Sequence, residues 1–412
     1  MSVKPPTLGG LQLFAALHRF RTNPLEYMLR LQREYGDAIC LETGFSRRFL
    51  FFDPVSLREL FVSKAKYFHK DRNSKLVLRY VFGDALVISE GELWQKQRRL
   101  MQPLFHGNAL RDYVPTVAQY AAAMVEGWHE SEPVDLTAEV SSLLLRITGK
   151  LLCNEEVPTS FAGEISALLI FLKRDLQQFW KIPPRLLPLG WRRHYIQSRA
   201  AVRQRIAAIV ERRLNMGNGA QDLLGRLLAA SSAEGGNDEM TYEQAKDEVL
   251  GLLVAGQEST TAALEWIVYL LARHPHEQER AAQEADSVLS SSVPAWEDIE
   301  RLSYITNIVR ESMRLYPPTW LLSRQCIEKT TIGGYEINKD DHVYTSPYVV
   351  HRNGAFFDDP DQFKPERFSD DAANINESIY MPFGLGPRFC PGRSLALTEM
   401  IMIVATVLRS FK

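Results

Sequence analysis

Residues 383–392 read Phe-Gly-Leu-Gly-Pro-Arg-Phe-Cys-Pro-Gly, and an apolar segment with helical character follows them at once. Three glycines and two prolines in this run exclude a regular helix or strand, so the stretch must be a loop. Cys390 therefore lies just ahead of a helix N-terminus, where the helix dipole and free backbone N–H groups stabilise a thiolate, and Arg388 adds a nearby positive charge. A stabilised thiolate serves either as a metal ligand or as a nucleophile.

The nucleophile alternative makes demands on the sequence that this loop does not meet. A thiol hydrolase elbow needs a Gly-x-Cys-x-Gly turn after a buried strand, but Arg388 occupies the first glycine position. Residues 380–383 form a poor strand, and no histidine follows Cys390 to act as a base. The loop therefore favours metal ligation, and nucleophilic catalysis is the weaker alternative.

A second informative stretch is Thr241–Arg273, which as a helix rising about 1.5 Å per residue is long enough to cross a whole domain. It begins with a capping box, Thr241 followed by Gln244, and it ends before Pro275. Its two ends are apolar nearly all round, yet residues 256–261 read Gly-Gln-Glu-Ser-Thr-Thr. Such a polar run inside a buried helix marks a functional site, or a kink whose hydroxyls bond to carbonyls one turn earlier.

Composition limits the remaining possibilities. The chain has 412 residues, of which 45% are hydrophobic and 24% charged, and 48 Lys+Arg nearly balance 50 Asp+Glu. This balance argues against a nucleic-acid binder or a polybasic membrane protein. No apolar run approaches the ~18–20 residues that span a bilayer, and no signal-peptide core is present, so we expect a soluble cytoplasmic protein. Cys40, Cys153 and Cys326 have no zinc-like spacing and are expected to be buried hydrophobes.

The pattern of helical and strand periods predicts a mainly α fold with small β-sheets (α+β). The predicted elements are, in order, helix Pro24–Tyr35, strands Ala38–Glu42 and Phe49–Phe52, mostly helix from about Pro54 to Arg314, short strands within 330–346, a loop-rich region to Tyr380 and a final helix from Arg393 to Phe411. No flexible linker separates halves with cores of their own, so residues 1–412 are expected to form one domain.

The cysteine loop, Phe383-x-x-Gly386-x-Arg388-x-Cys390-x-Gly392, resembles the haem-binding loop of the cytochrome P-450 superfamily, the cysteine-thiolate haem monooxygenases. Further stretches resemble family motifs in the family's order: Trp94-x-x-x-Arg98, Ala255-Gly256-x-Glu258-Ser259, Glu311-x-x-Arg314 and Pro365-Glu366-Arg367-Phe368. The resemblance covers nearly the whole chain. It implies the cytochrome P-450 fold, in which the long central helix crosses the domain over a buried haem.

The resemblance also implies a cofactor, haem b, with the Cys390 thiolate as the axial ligand that donates electron density to the iron. Arg98, Arg324 and Arg388 would pair with the haem propionates. The positions implied to contact the cofactor are Trp94, Arg98, Ala255, Gly256, Arg324, Phe383, Arg388, Cys390 and Gly392. Of these, Trp94 would donate a hydrogen bond from its indole N–H to the haem propionates, and Ala255 with Gly256 would leave room for dioxygen.

The implied catalytic residues are Glu258, Ser259 and Thr260, on the polar run of the long helix. Glu258 and Ser259 would relay protons toward bound dioxygen. The common family pattern has threonine after the acid, whereas Ser259 keeps the hydroxyl but lacks the methyl that limits its rotamers. Thr260 carries the next hydroxyl, turned about 100° around the helix.

Glu311 and Arg314 lie three residues apart on one face of a predicted helix whose neighbouring side chains are apolar. The pair is therefore expected to be buried, where an ion pair must be fully hydrogen-bonded. The resemblance implies that Arg367 completes the network. The network is expected to fix the core of the protein and to take no part in the reaction. His351 is expected to be structural as well.

The pocket-forming segments implied by the resemblance are rich in Leu, Phe, Trp and Ile, which predicts a lipophilic substrate: terpenoid, fatty acyl, steroid or polyketide. These segments are Phe68–Ile88, Ile170–Trp191, Leu252–Ser259 and Thr319–Ser323. A basic cluster could bind a carboxylate or an acyl-carrier protein, although a solvated helix face is the more ordinary explanation. Its members are Lys181, Arg185, Arg192, Arg193 and Arg199.

Nothing in the chain resembles a flavin or nicotinamide site, so electrons are expected from a ferredoxin or flavodoxin with its NAD(P)H reductase. Lys96, Arg98 and Arg99 would suit an acidic partner of this kind. Hydroxylation or epoxidation is the favoured reaction; oxidative coupling, a peroxygenase and a non-enzymatic haem sensor are the alternatives, and the Glu258-Ser259 pair argues against the peroxygenase. Family members usually continue beyond the last helix as a hairpin that contacts substrate, which this sequence is expected to lack.

Overall fold

The computed structural model describes residues 4–42, 47–130, 132–177, 189–216, 222–232, 240–289, 294–369 and 375–411. Contacts group the chain into two compact units, each assembled from two stretches of sequence. Unit 1 comprises Met1–Lys75 and Arg310–Cys390, and unit 2 comprises Leu76–Val309 and Pro391–Lys412. The expectation of one domain over residues 1–412 stays a prediction.

Helices dominate the described residues, with short strands near both ends of the sequence. The helices are α1 (Gly10–Thr22), α2 (Pro24–Tyr35), α3 (Pro54–Arg58), α4 (Arg72–Phe82), α5 (Gly91–Met101), α6 (Asn108–Glu126), α7 (Leu136–Cys153), α8 (Thr159–Gln177), α9 (Leu189–Met216), α10 (Leu223–Ser232), α11 (Tyr242–Arg273), α12 (Pro275–Val288), α13 (Trp296–Arg301), α14 (Ser303–Leu315), α15 (Pro347–Val350) and α16 (Arg393–Ser410). The strands are β1 (Thr7–Leu8), β2 (Ala38–Glu42), β3 (Arg47–Phe51), β4 (Phe68–His69), β5 (Leu322–Cys326), β6 (Thr330–Ile332), β7 (Tyr335–Ile337) and β8 (His342–Thr345).

Unit 1 is built on a six-stranded mixed sheet in the order β1-β2-β3-β8-β5-β4. Strand β2 pairs antiparallel with β3, β3 runs parallel to β8, and β8 pairs antiparallel with β5. Strands β6 and β7 form a separate hairpin that reverses at Gly333 and Gly334, both at positive φ as a tight turn requires. The core against the sheet is aromatic, with Phe49, Phe51 and Phe52 buried.

Unit 2 is a helical assembly in which α11 packs on α7 and α16 packs on α6. The predicted capping box of α11 is confirmed, because Gln244 N–H donates to Thr241 Oγ1 and Thr241 N–H donates back to Gln244 Oε1. The helix ends at Arg273, ahead of Pro275, and it runs through the polar stretch without a break. The hydroxyl-rich segment is therefore carried on a continuous helix.

The predicted mainly α fold with small sheets is confirmed. Helix α2 has the predicted bounds, and the strand predicted at Phe49–Phe52 is β3, which begins two residues earlier. Helix α1 was not predicted, because its N-cap is Gly9 and no side chain accepts a hydrogen bond from its first turn. Among the described residues, no helix is long and apolar enough to cross a membrane.

The four cysteines separate by burial as the sequence predicts. Cys40, Cys153 and Cys326 are buried, and burial raises the pKa of each thiol, that of Cys40 to about 11. These three thiols are inert hydrophobes. Cys390 is only partly buried. In the described part of the chain, no cluster of three or more His, Cys, Asp or Glu side chains is arranged to hold a metal ion.

Candidate functional site

The cysteine loop of unit 1 is held by backbone hydrogen bonds rather than by a regular element. Phe389 N–H donates to Gly386 O at 3.0 Å, and Cys390 N–H donates to Phe383 O at 2.9 Å. These bonds satisfy polar groups that an irregular segment would otherwise leave unpaired. The backbone of Cys390 is thus fixed while its side chain remains partly exposed, three residues before α16 begins.

Two glycines give the loop its shape, with φ of +78° at Gly384 and +72° at Gly386. A Cβ at Gly386 would stand 1.9 Å from the carbonyl oxygen of Phe61, so the loop backbone lies directly against the π-helical turn Glu59–Ser63. At Gly384 the nearest atom to a Cβ would be 3.9 Å away. Gly386 is therefore required by both conformation and packing, and Gly384 by conformation alone.

Arg324, one of the predicted propionate partners, also lies at Phe61. Its guanidinium stands 4.9 Å from the centre of the Phe61 ring, and Nη1 donates to Ser323 O at 2.8 Å. Unit 1 therefore brings Arg324 and the cysteine loop to the same phenylalanine, on opposite parts of that residue: ring and backbone. Arg388 and Phe383 are half-buried within the loop itself.

The predicted ion pair of Glu311 and Arg314 is fully buried, with no exposed side-chain surface on either residue. Arg314 Nε and Nη2 donate to the two oxygens of Glu311 at 2.7 and 2.8 Å. The remaining guanidinium N–H groups donate to three backbone carbonyls, those of His351, Pro360 and Gln362. All five donors of the guanidinium are thus satisfied.

Arg367 joins this network from the 3-10 turn Pro365–Phe368, as the resemblance implied. Its Nε donates to Glu311 Oε1 at 3.3 Å, and its Nη2 donates to Asp359 O at 2.9 Å. Lys364 N–H donates to the same Glu311 oxygen at 2.9 Å. One buried carboxylate therefore fixes both the helix that carries it and the turn facing it.

His351 connects the ion-pair network to the approach of the cysteine loop. Met381 N–H donates to His351 Nε2 at 3.0 Å, so the proton of the neutral ring is on Nδ1, which donates to Arg314 O at 3.0 Å. Burial lowers the pKa of His351 to about 3, and the charges of Arg314 and Arg352 act in the same direction. His351 is structural, as expected, but its link to Met381 was not foreseen.

On α11 in unit 2, Ala255 and Ser259 are exposed although most of their helix is buried. Ser259 Oγ donates to Ala255 O at 2.9 Å, the bond to the preceding turn that the kink alternative predicted, without a break in the helix. Thr260 is buried and so faces away from this exposed strip. Glu258 is half-buried beside it.

Gly256 has a packing reason in the structure. A Cβ on Gly256 would stand 3.2 Å from Thr148 Oγ1, so the glycine lets α7 approach α11 closely. One turn further on, Ser141 Oγ and Thr261 Oγ1 are 3.3 Å apart across the same pair of helices. The small and hydroxylated residues of this run therefore divide between an exposed strip and the α7 contact.

Trp94 and Arg98 lie one turn apart on α5 and share a face of that helix in unit 2. Arg98 is buried, an unusual position for an arginine unless its charge is used. Lys96 is half-buried and Arg99 is exposed on the same helix. Arg98 is thus buried, whereas the neighbouring cations Lys96 and Arg99 reach the surface.

The basic cluster is only partly described. Lys181 and Arg185, and the side chain of Arg192, lie outside the described residues. Arg193 is exposed, whereas Arg199 donates from Nε to Tyr80 O at 2.7 Å and lies 4.4 Å from the centre of the Tyr80 ring. Arg199 is therefore used to hold α9 on α4. The predicted pocket segment Ile170–Trp191 likewise falls largely outside the described residues.

Comparison with known proteins agrees with the resemblance in the sequence. A family model described as cytochrome P-450 matches residues 5–412. The chain is 30% identical over 408 residues to cyclooctat-9-en-7-ol 5-monooxygenase of Streptomyces melanosporofaciens, covering 97% of this chain and 87% of the relative.

Relatives also occur in plants at similar identity. Chloroplastic carotene epsilon-monooxygenase of Arabidopsis thaliana is 32% identical over 413 residues, covering 93% of this chain and 75% of the relative. Pentalenene oxygenase of Streptomyces avermitilis is 27% identical over 407 residues, covering 98% and 90%.

We expect Arg314→Lys to destabilise the protein by about 2–5 kcal/mol, because three ammonium donors leave at least two of the five buried acceptors without a donor from residue 314, at about 1–3 kcal/mol each. Urea unfolding followed by circular dichroism measures the change. The control is Arg30→Lys, at an exposed ion pair with Glu34, where the change should stay below about 1 kcal/mol. Equal urea midpoints for Arg314→Lys and wild type would contradict the network described above.

We expect Gly386→Ala to lower the unfolding temperature more than Gly384→Ala. Both substitutions place a Cβ at positive φ, but only the first drives it into the Phe61 carbonyl. The two variants therefore separate close packing from backbone strain, and thermal unfolding by circular dichroism compares them. Identical losses in the two variants would show that the Phe61 contact is unimportant.

Proposed function

The chain belongs to the cytochrome P-450 family, and on that premise we propose which of its residues perform the family's reaction, what class of substrate it takes and where its electrons come from. The chain is a haem-thiolate monooxygenase, which inserts one atom of O2 into its substrate. The single observation that carries the assignment of the site is the Cys390 loop: a partly exposed thiol on a rigid backbone ahead of a helix, within the family's motif.

The described residues fit a haem. Iron takes the soft thiolate donor that Cys390 offers, and the cysteine loop holds that donor on a fixed backbone. Ala255 and Ser259 form a strip of small side chains left uncovered on an otherwise buried helix, as a flat group needs. On the family's motifs, Arg98 and Arg324 would supply cations for the two propionates.

When bound, the haem supplies the activation of O2. Cys390 would hold the iron and donate electron density to it, and the hydrogen bond from its N–H to Phe383 O fixes the backbone that carries the sulfur. Arg98, Arg324 and Arg388, with the Trp94 indole, would bind and orient the propionates. By the family's motif, Phe383 and Gly392 would flank the thiolate, and haem b is the form we infer.

Glu258 and Ser259 carry protons in the proposed mechanism. The Ser259 hydroxyl has one proton, which it donates to Ala255 O, and two lone pairs that can accept hydrogen bonds from water. To deliver its own proton, Ser259 must release the bond to Ala255 O, and a proton from half-buried Glu258 then replaces it. Thr260 is buried, so we assign it a supporting place in the helix rather than a share in this relay.

We infer a lipophilic substrate, with a terpenoid as the favoured class. The support is the apolar composition of the pocket segments and the names of the relatives, which refer to cyclooctat-9-en-7-ol, pentalenene and carotene. All three are largely hydrocarbon molecules. Hydroxylation or epoxidation of an unactivated carbon skeleton is therefore the proposed reaction.

We infer a bacterial-type enzyme in the cytoplasm that receives electrons from a ferredoxin or flavodoxin with its NAD(P)H reductase. The support from the relatives is that two of them are Streptomyces enzymes. Exposed Arg99 and half-buried Lys96 on α5 suit an acidic partner. An acyl-carrier protein has less support, since Arg199 of the basic cluster is bound to α4.

We expect Cys390→Ser to abolish the red-shifted Soret band that thiolate-ligated ferrous haem gives with carbon monoxide, because a hydroxyl does not replace a thiolate as a donor to iron. Cys153→Ala, at a buried thiol remote from the loop in sequence, is the matched control and should keep the band. Retention of the band in Cys390→Ser would refute the assignment.

We expect Ser259→Ala to divert reducing equivalents from product to hydrogen peroxide, lowering product per NAD(P)H by about tenfold. Ser259→Thr restores the hydroxyl with a restricted rotamer and should couple at least as well as wild type. The measurement uses a surrogate ferredoxin system with any lipophile that the enzyme converts. Unchanged coupling in Ser259→Ala would exclude this hydroxyl from proton delivery.

A further inference from the structure

Two adjacent acidic residues of α11 bind the backbone of the segment that joins α4 to α5. Asp247 Oδ2 accepts from Asp84 N–H at 2.8 Å, and both carboxyl oxygens of Glu248 lie 3.0 Å from Leu86 N. Asp247 is 7% exposed and Glu248 1% exposed. Acidic side chains are rarely buried to this degree without a specific task, because removing a carboxylate from water is costly.

Close packing shows that this contact shapes the segment. Gly83 adopts φ +63°, and a Cβ there would stand 1.9 Å from Asp247 Oδ2. In addition, Gln97 Nε2 on α5 donates to Asp84 O at 2.6 Å. The segment is thus fixed by both α11 and α5.

The carboxyl groups of Asp247 and Glu248 differ in whether they have a cationic partner. Arg203 of α9 donates to Asp247 Oδ1 at 2.9 Å, which gives Asp247 a cationic partner. Among the ion pairs of the described residues, none involves Glu248. Asp84, across the segment, is itself paired with Arg79 of α4 at 2.9 Å. Among the described charged groups, Asp247 is the one whose charge acts on Glu248, and α5 contributes the neutral Gln97.

Without a cation of its own, Glu248 is more stable as a neutral acid. Burial raises the pKa of Glu248 to about 8 and the neighbouring Asp247 acts in the same direction, which outweighs the hydrogen bonds from Leu86 N–H and the Gln97 side chain that favour the ionised form. A neutral carboxyl group accepts the Leu86 N–H through its carbonyl oxygen and has one O–H left to donate. Gln97 lies within hydrogen-bonding reach of Glu248, and its Oε1 is a buried acceptor with no partner in the described structure.

We propose that Glu248 is a positioning residue: its neutral carboxyl group links Leu86 N–H to Gln97 Oε1, and so fixes the Ala85–Ile88 segment as a wall of the substrate pocket. Val87, beside the bound amide, is an apolar side chain with 37% of its surface exposed. The inference rests on the proposed function in one respect, namely that this segment contacts the substrate. Ionisation at alkaline pH removes the O–H donor and places a second anion beside Asp247, which loosens the segment.

Hydrogen exchange of the haem-loaded protein tests the link directly. We expect Glu248→Ala to speed exchange at the Leu86 amide, and in peptides covering residues 83–90, by about tenfold, and to leave the cysteine loop unchanged. Glu248→Gln keeps both an acceptor and a donor, so it should retain the protection and hold it from pH 7 to 9.5. In wild type the protection, corrected for intrinsic exchange, should fall as pH rises through about 8. The control is Glu243→Gln, at an exposed carboxylate on the same helix.

Azole binding then tests the consequence for the pocket. Titration with 4-phenylimidazole, followed by the Soret shift, should show several-fold weaker binding in Glu248→Ala, while imidazole itself binds as in wild type. Unchanged exchange over residues 83–90 in Glu248→Ala would overturn the positioning role. If protection from exchange falls equally at alkaline pH in Glu248→Gln and in wild type, the neutral carboxyl group is overturned. If exchange in Glu248→Ala is faster but its affinity for the azole is unchanged, the segment is not a wall of the pocket. The proposed function fails separately, if wild type lacks the thiolate band with carbon monoxide.

Discussion

The order of unit 1 depends on one buried cation. A guanidinium that leaves water costs several kcal/mol unless every N–H finds a partner, and Arg314 has five partners for its five donors. Three of those partners are backbone carbonyls from residues 351–362, where regular structure is sparse. Elsewhere in the fold, backbone hydrogen bonds of helices and sheets fix the path of the chain. In this loop the donors of the Arg314 side chain take that role.

The same cation is connected to the cysteine through neutral hydrogen bonds. Arg314 binds His351 twice, once through its guanidinium and once through its own carbonyl, and the other ring nitrogen of His351 accepts from Met381 N–H. Two residues later, Phe383 accepts the N–H of Cys390. Since burial holds the pKa of His351 near 3, this connection keeps one protonation state through the neutral range. The backbone of Cys390 is thus anchored by a connection whose histidine stays neutral through the neutral pH range.

The sequence was sufficient where a feature depends on near neighbours. The capping box of α11, the spacing of Glu311 and Arg314 and the glycines of the cysteine loop are all local patterns, and the structure has each of them. Contacts between distant residues were not predictable. Gly386 demands a positive φ that the sequence suggests, but nothing in it identifies Phe61 as the backbone it approaches.

Buried polar groups were missed for a related reason. In the sequence, Glu248 stands in a run of charged and apolar residues that fits a half-exposed helix, and only the fold shows that it is enclosed. Glu399 on α16 is similar: burial raises its pKa to about 8, and one of its oxygens has no partner among the described groups. Periodicity gives the apolar face of a helix, but it does not show which polar residues the neighbouring elements will cover.

Burial also distinguishes two of the glutamates of α11. Glu248 and Glu258 lie ten residues apart on one helix, about 15 Å along its axis. Glu248 is enclosed, so exchange of its proton with water is slow and its favoured form is neutral, which suits a group that holds backbone in place. Glu258 is half-buried beside an exposed serine, the access to water that the proposed proton relay requires. On the proposed mechanism, access to solvent therefore assigns two glutamates of one continuous helix to different tasks, architecture and proton transfer.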